Sequence, residues 1–201
     1  MSEKGPGNHH LPGDLSALSL PLKTVEKSWF RCHRREYDAI YFGKSGDLRF
    51  DAPDREFGVM YLGESPEAAF VETLIRGKST ERHVTSRELH ENPLSEIRFG
   101  HSLRLVDLTE SGLILLGADA RICTGGNYSV SQRWVLALWK HPAQPDGILY
   151  CSRHNLSLRC AAVFDRAGGA VTISDFGSLT DLRHRNLLGQ LLDLYGFNLL
   201  H

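Results

Sequence analysis

Residues 58–77 read GVMYLGESPEAAFVETLIRG, and the pattern changes halfway along. Val59-Met60-Tyr61-Leu62 is an apolar and aromatic run between glycines, which predicts a strand over 58–62. Ser65-Pro66-Glu67 then supplies a capping hydroxyl, a proline at the first helical position and an acid in the first turn. The helix this opens runs through PEAAFVETLIR and stops at Gly77, with Arg76 in its last turn. One residue does not suit it. On a 3.6-residue period Glu72 lies beside Ala68 and Ile75-Arg76, while Ala69, Phe70, Val71 and Leu74 make the rest of the surface apolar. A carboxylate at the edge of a buried face needs a partner. Either it forms an internal salt bridge to an arginine, or it lines a cleft where its charge is used.

Other polar residues in apolar settings lie on either side. Tyr61 points to the opposite sheet face from Met60 and Leu62. Arg31 follows Trp29-Phe30 in a predicted strand over 28–33, and Arg49 stands between Leu48 and Phe50. Guanidinium groups so placed pair bidentately with a carboxylate or a phosphate, and Asp51 and Asp54 are the internal candidates. Ser152 ends a predicted strand over 148–152, on the face of Ile148 and Tyr150. YCSRH is not a G-x-S-x-G elbow, and His154 two residues on is weak support for a base, so Ser152 reads as a hydrogen-bond donor to a ligand and not as a nucleophile.

The rest of the chain predicts strands over 39–43 (AIYFG), 102–108, 160–165 and 170–174, the last two forming a hairpin across Arg166-Ala167-Gly168-Gly169. Residues 43–53 read as loop, and 78–100 as polar with a short helix over 86–91. Residues 110–126 are partly helical, and Ser129-Val130-Ser131-Gln132 has the form of a capping box opening a further helix. An amphipathic helix over 181–196 closes the chain, with Leu182, Leu188, Leu191, Leu192 and Tyr195 on one face. Strands outnumber helices and do not alternate with them, which argues for α+β over a doubly wound sheet. The 201 residues suit one domain over 15–201, behind a polar, Gly/Pro-rich lead over 1–14 that reads as disordered.

Composition narrows the function. A net charge of −1 gives no global pull toward nucleic acid or anionic membrane, although Arg31-Cys32-His33-Arg34-Arg35 is a local basic cluster. No run approaches the ~20 apolar residues of a membrane span, and the start of the chain lacks the apolar stretch of a signal peptide. Four cysteines without C-x-x-C, and ten histidines without H-x-x-x-H, give no metal spacing and suggest reduced thiols in the cytoplasm. TGGNYS (124–129) has glycines in the wrong spacing for a P-loop or a G-x-G-x-x-G turn, so ATP-binding and Rossmann-type readings fall away.

Taken in order, WFRCHR (29–34), GDLRFDAP (46–53), FGVMYLGESPEAAFVETLIR (57–76), DGILYCSRH (146–154), CAAVFD (160–165) and LLDLYGFNLL (191–200) resemble the RES-domain family over residues 29–200. That family is named for its Arg, Glu and Ser, and many members are the toxins of RES–Xre toxin–antitoxin pairs. The resemblance implies an α+β single domain with an ADP-ribosyltransferase-like mixed β core and flanking helices. It implies NAD⁺ as substrate, cleaved at the nicotinamide–ribose bond by phosphorolysis with inorganic phosphate or by hydrolysis, and neither a cofactor nor a metal. It places the family's two arginines at Arg31 and Arg49, its tyrosine at Tyr61, its glutamate at Glu72 and its serine at Ser152. Glu72, Tyr61 and Arg31 are then the catalytic candidates; Arg31, Arg49, Tyr61 and Ser152 are the NAD-binding ones. Tyr41 joins them: other members carry an aromatic where this chain has Cys32, and Tyr41 or Phe42 would fill that place. The implied partner is an Xre-type antitoxin that blocks the active site, with homo-oligomerisation part of the same expectation and no direct contact with nucleic acid or membrane.

Those roles agree with the chemistry of the residues. A pyrophosphate suits two guanidinium forks, and the helix start near Ser65 could add backbone donors. Loss of nicotinamide develops an oxocarbenium-like centre that a carboxylate at Glu72 would stabilise. Tyr61 can stack on ribose or nicotinamide, and Ser152 can hydrogen-bond the same end. Two alternatives stay open: a protein mono-ADP-ribosyltransferase, and a catalytically silent module that binds NAD⁺ or ADP-ribose.

Overall fold

The structure is a computed structural model and describes residues 15–78 and 80–201. The lead expected over residues 1–14 lies outside them. The stretch that opens the sequence reading sits near the middle of an eight-stranded sheet. Its strand, β3 (Val59–Gly63), pairs antiparallel with β8 (Arg159–Phe164) on one side and touches β2 (Trp29–Cys32) through Phe30 and Gly63 on the other. From edge to edge the order is β1 (Leu22–Val25), β6 (Leu103–Asp107), β7 (Gly147–Cys151), β8, β3, β2, β5 (Leu94–Phe99) and β9 (Val171–Gly177). β6 and β7 run parallel and the other pairs antiparallel, so the sheet is mixed and the fold is a single α+β domain. A parallel pair needs a crossover. Here it contains α3 (Glu110–Leu115), α4 (Arg121–Thr124) and α5 (Tyr128–Lys140). A separate two-stranded parallel sheet joins β4 (His83–Thr85) to β10 (Asn198–Leu200).

Period-two alternation splits the core between the two faces of the sheet. Met60, Leu62, Leu149, Ala161 and Val163 pack with Trp29 and Ile97 on one face. Val59, Ile148, Tyr150, Cys160, Ala162 and Phe164 face the other, where Phe70, Trp134, Val135, Leu188 and Leu191 of the helices cover them. α1 (Pro66–Phe70) starts as its sequence requires, with the Ser65 hydroxyl accepting from the Ala68 amide and proline in the first turn. Its close seat on the sheet depends on Gly63, where a Cβ would stand 2.5 Å from the amide nitrogen of Ala69. The helix then widens into a π-helical segment, Val71–Ile75, before Gly77 ends it in the left-handed region at φ +80°.

Several expectations need correction. AIYFG (39–43) is not a strand: only Gly43 bridges to Val59, and the remainder runs as irregular chain over β2. β8 and β9 do not form a hairpin, because both edges of β8 are taken by β7 and β3; β9 crosses to the free edge of β5. β5 itself lies in the segment read as polar, and it buries Leu94, Ile97 and Phe99 in a strand that also carries Glu96 and Arg98. α5 is capped by Asn127, whose side chain accepts from the Ser129 amide, and not by Ser129. Gln132, expected to close that capping box, instead donates to the carbonyls of Gly46 and Leu48 and so ties the 43–53 loop to α5. In the last helix, α6 (Arg185–Tyr195), Leu188, Leu191 and Leu192 are buried, but Leu182 lies before it and is 88% exposed.

Candidate active site

A cleft of about 760 Å³ opens over β2 and β3, within the size range of small-molecule sites. Four structural pieces bring the expected residues into it. β2 contributes Arg31, the 43–53 loop Arg49, β3 Tyr61, and the π-helical segment Glu72; Tyr41 stands at its rim. All five line the same space.

Glu72 owes its position to the π-helical segment, a local widening of the helix that often marks functional positions. Its Oε1 is buried without a hydrogen-bond partner, and no described residue forms an ion pair with it. The internal salt bridge that the sequence left open is therefore not made among the described residues. Arg49 is 8% exposed, donates from Nη1 to the carbonyl of Gly125, and lies 4.6 Å from the ring centroid of Tyr128. Its Nη2 is buried and unpartnered. Asp51, the candidate internal partner for an arginine, is occupied elsewhere: it is 1% exposed and accepts from Tyr61 Oη, Ser45 Oγ and the amides of Gly46 and Leu48.

Arg31 and Tyr61 each carry a structural duty as well. Arg31 donates from Nη1 to the carbonyls of Ala39 (2.7 Å) and Tyr41 (3.3 Å), which fastens the 33–43 segment across β2. Burial pulls its pKa down to about 10, so it remains cationic at neutral pH. That segment presents Tyr41 and Tyr37 as a stacked, half-exposed pair, with ring centroids 6.0 Å apart. Tyr61 Oη donates to Asp51 at 2.9 Å and accepts from the Phe50 amide at 3.0 Å. Burial and the Asp51 charge hold its phenol protonated well above its ordinary range. Its ring, not its hydroxyl, is what remains for a ligand.

Ser152 departs from its expected place. It is fully buried and is not among the residues lining the cleft. Its Oγ accepts from the backbone amides of His154 (3.1 Å) and Asn155 (3.4 Å), which shapes the turn after β7. The hydroxyl meets the backbone of His154 and not its imidazole, so no serine–histidine nucleophile is formed here. What this turn delivers to the cleft is Arg153 and His154. Ser65 likewise caps α1 without lining the cleft; the helix start that does line it is that of α5, at Tyr128.

Sequence reasoning gave no cleft role to Arg76, Tyr128, Tyr150, Arg153 or His154. With Arg31, Arg34 and Arg49 they make a wall rich in arginine around one glutamate, suited to an anionic ligand with a cationic centre. The basic cluster at 31–35 was one visible sign, since Arg31, His33 and Arg34 all face this space. For Tyr128 the sign was TGGNYS, set aside for its glycine spacing. Burial lowers the pKa of His154, opposed by the charge of Glu72. Among the described residues no cluster of His, Cys, Asp and Glu could hold a metal ion, and no helix is long and apolar enough to cross a membrane.

A family model described as RES domain matches residues 28–183, most of the chain. A curated protein of Sinorhizobium fredii named "Probable toxin y4kH" is 31% identical over 106 residues, which span 53% of this chain and 81% of that one. Among solved structures, a chain of the M. tuberculosis MbcT–MbcA toxin–antitoxin complex superposes with a TM-score of 0.60 at 19% identity, covering 85% of this chain and 92% of that chain. The latter likeness is one of fold.

Proposed function

The chain belongs to the RES domain family, and from that premise we propose that it is an NAD⁺-consuming enzyme, the toxin of a toxin–antitoxin pair, that cleaves the nicotinamide–ribose bond. The observation that carries the reading is that two oppositely charged residues lining one cleft each hold a buried polar atom without a hydrogen-bond partner among the described residues, Arg49 Nη2 and Glu72 Oε1. Buried polar atoms on a cation and on an anion that find no partner among the described residues are costly unless a ligand supplies one. NAD⁺ offers both complements, a pyrophosphate and a cationic pyridinium on a ribose.

In the proposed reaction the bond between ribose C1′ and the pyridinium nitrogen breaks, and its electron pair neutralises the departing nicotinamide. The positive charge left on C1′ and the ring oxygen is met by the Glu72 carboxylate, a charge fixed in place before the reaction begins. An acceptor oxygen, from a phosphate anion or from water, bonds to C1′; a water acceptor releases its proton to solvent as it does so. Arg49 holds the pyrophosphate, and Arg31 holds the 33–43 segment with Tyr41 over the cleft. The ring of Tyr61 packs against the sugar.

The named relatives support the biological side of the reading: one is called a probable toxin, and the structural neighbour comes from a toxin–antitoxin complex. An antitoxin of Xre type, covering the cleft in the cytoplasm, is the corresponding proposal for this chain. The chemistry is tested by incubating the purified protein with NAD⁺, with and without inorganic phosphate, and resolving the products. Nicotinamide release is expected, with a phosphorylated ADP-ribose marking phosphorolysis and free ADP-ribose marking hydrolysis. Intact NAD⁺ under both conditions overturns the reading.

A further inference from the structure

The eight-stranded sheet ends on β9, and nothing among the described residues pairs with its outer edge. Proteins blunt such edges with short strands, lysine or proline, because a row of open amides and carbonyls invites another strand. The opposite edge follows that rule. β1 has four residues, Pro21 stands before it, and Lys23 projects from it to Asp107 at 2.9 Å. β9 does not follow it: VTISDFG is seven residues long, with no proline, lysine or arginine.

The phase of its ladder is fixed at one end. The Gly100 amide donates to the Ala170 carbonyl at 2.7 Å, while Val171 stands opposite Phe99. Inward bonds therefore fall to Thr172 and Ser174, and Val171, Ile173 and Asp175 turn their amides and carbonyls outward. The edge closes after Asp175. The Gly177 amide bonds the Asp175 side chain, Arg183 and His184 donate to the Phe176 carbonyl, and the pairing with β5 is bulged beside them. Ile173, at the middle of the open stretch, is 46% exposed.

We propose that this stretch is a self-association site, where β9 pairs antiparallel with β9 of a second copy about a two-fold axis at Ile173. The residues select that register. It sets Ile173 against Ile173 and Val171 against the partner's Asp175, and it uses every open backbone group from 171 to 175. An axis two residues later would oppose Asp175 to Asp175, and one two residues earlier would set Asp175 opposite Ala167, which is in a 3₁₀ turn. The side-chain rows agree. On one face Ile97 and Ile173 continue into the partner's Ile173 and Ile97. On the other, Thr172 meets the partner's Ser174, a favourable hydroxyl pair, in a row that runs from Arg98 to the partner's Glu96 and recurs by symmetry. Arg98 is held by Ser28, and the two charges lie three strand spacings apart, about 14 Å, so they complement each other in potential without forming a salt bridge. None of the residues lining the cleft lies on β9, so the pairing takes nothing from it. An edge contact of this length is small, and the association is accordingly weak.

The test is sedimentation velocity on purified wild type and Ile173→Lys over roughly 5–500 μM, the range of a small transient interface. It is paired with diamide cross-linking of Ile173→Cys and Thr172→Cys. The wild-type mass is expected to rise with concentration from 22.5 kDa toward twice that value. Ile173→Lys, which opposes like charges across the axis, should associate at least about tenfold more weakly. Diamide takes up the two electrons and two protons of two thiols. It should join the Ile173→Cys chains as a disulfide dimer, because directly opposed residues hold their Cα atoms about 5.5 Å apart. Thr172→Cys, which faces position 174 and not its own counterpart, should cross-link no more than wild type does through its native cysteines. Thermal unfolding checks each fold, and the two cysteine variants decide the matter should Ile173→Lys fail to fold. A wild type that stays monomeric throughout, one that grows beyond a dimer, or a dimer undiminished in Ile173→Lys overturns the proposal. So does Thr172→Cys cross-linking as readily as Ile173→Cys.

Discussion

The phenolic hydroxyl of Tyr61 on β3 donates to Oδ1 of Asp51 at 2.9 Å, and through this bond the central strand holds the loop that carries Arg49. Among the described residues Asp51 has no ion-pair partner and accepts from four donors, Ser45, Gly46, Leu48 and Tyr61. Tyr61→Phe removes one donor and leaves the Phe50 amide without its acceptor. The expected cost is about 1–3 kcal/mol in chemical denaturation, with a raised KM as the Arg49 loop loosens. The bond also has a pH signature. The folded-state pKa of Tyr61 is raised, so its contribution is fully present below the ordinary value near 10 and is lost as pH rises through the folded value. The stability gap between wild type and Tyr61→Phe should narrow above about pH 10.

Glu72→Gln separates stability from activity. The carboxylate oxygen has no internal partner to lose, so the neutral amide should leave the unfolding midpoint unchanged or raised. The rate of nicotinamide release should fall by about 100-fold or more, the scale of removing one preorganised electrostatic group. A large loss of stability would mean that Glu72 is structural.

Ser152→Ala should behave as the loss of a turn. The Oγ is a buried acceptor for two backbone amides, and its removal is expected to cost roughly 1–2 kcal/mol. Arg153 and His154 then lose their fixed positions, so substrate affinity should fall more than the maximal rate. Mass spectrometry during turnover should find no covalent adduct on Ser152; an adduct there would contradict the assignment.

His154 reports on Glu72. Burial lowers its pKa, the Glu72 charge opposes that shift, and Arg153, Arg76 and Arg49 reinforce it. The neutral ring is therefore favoured in the fold, and the small contribution it makes is present above the ordinary value near 6.5 and lost as pH falls through the folded value. In an NMR titration the wild-type midpoint should lie below 6.5. It should drop further in Glu72→Gln, because the negative charge that opposes the shift is gone. An unchanged midpoint would place Glu72 too far from His154 for this cleft.

Much of this site was legible because the chemistry lay in single residues set against apolar surroundings. Glu72 among alanines and aliphatics, Arg31 after two aromatics and Arg49 between Leu48 and Phe50 all raised the question that the cleft answers. The strand–helix unit over 58–77 was legible for a similar reason, since its period changes cleanly across Ser65-Pro66. What failed were features set by distant partners. AIYFG has strand composition, but its carbonyls at Ala39 and Tyr41 accept from Arg31 instead of a neighbouring strand. The hairpin after β8 failed because strand order depends on which edges are already filled. Ser152 was read as the end of its strand, but β7 stops at Cys151 and the hydroxyl accepts from two amides of the turn that follows, the second three residues further on. Tyr128 was visible only as part of TGGNYS, because the guanidinium it meets lies 79 positions earlier in the chain (128 minus 49).

The central claim is that the unpartnered carboxylate of Glu72 drives cleavage of NAD⁺ in this cleft. Its most direct measurement is the initial rate of nicotinamide release by wild type and Glu72→Gln, at saturating NAD⁺, with and without phosphate, on preparations shown to unfold at the same midpoint. The expected result is release by the wild type in at least one condition and a rate lower by about 100-fold or more in the variant. Equal rates in the two proteins, or no release from the wild type in either condition, would contradict it.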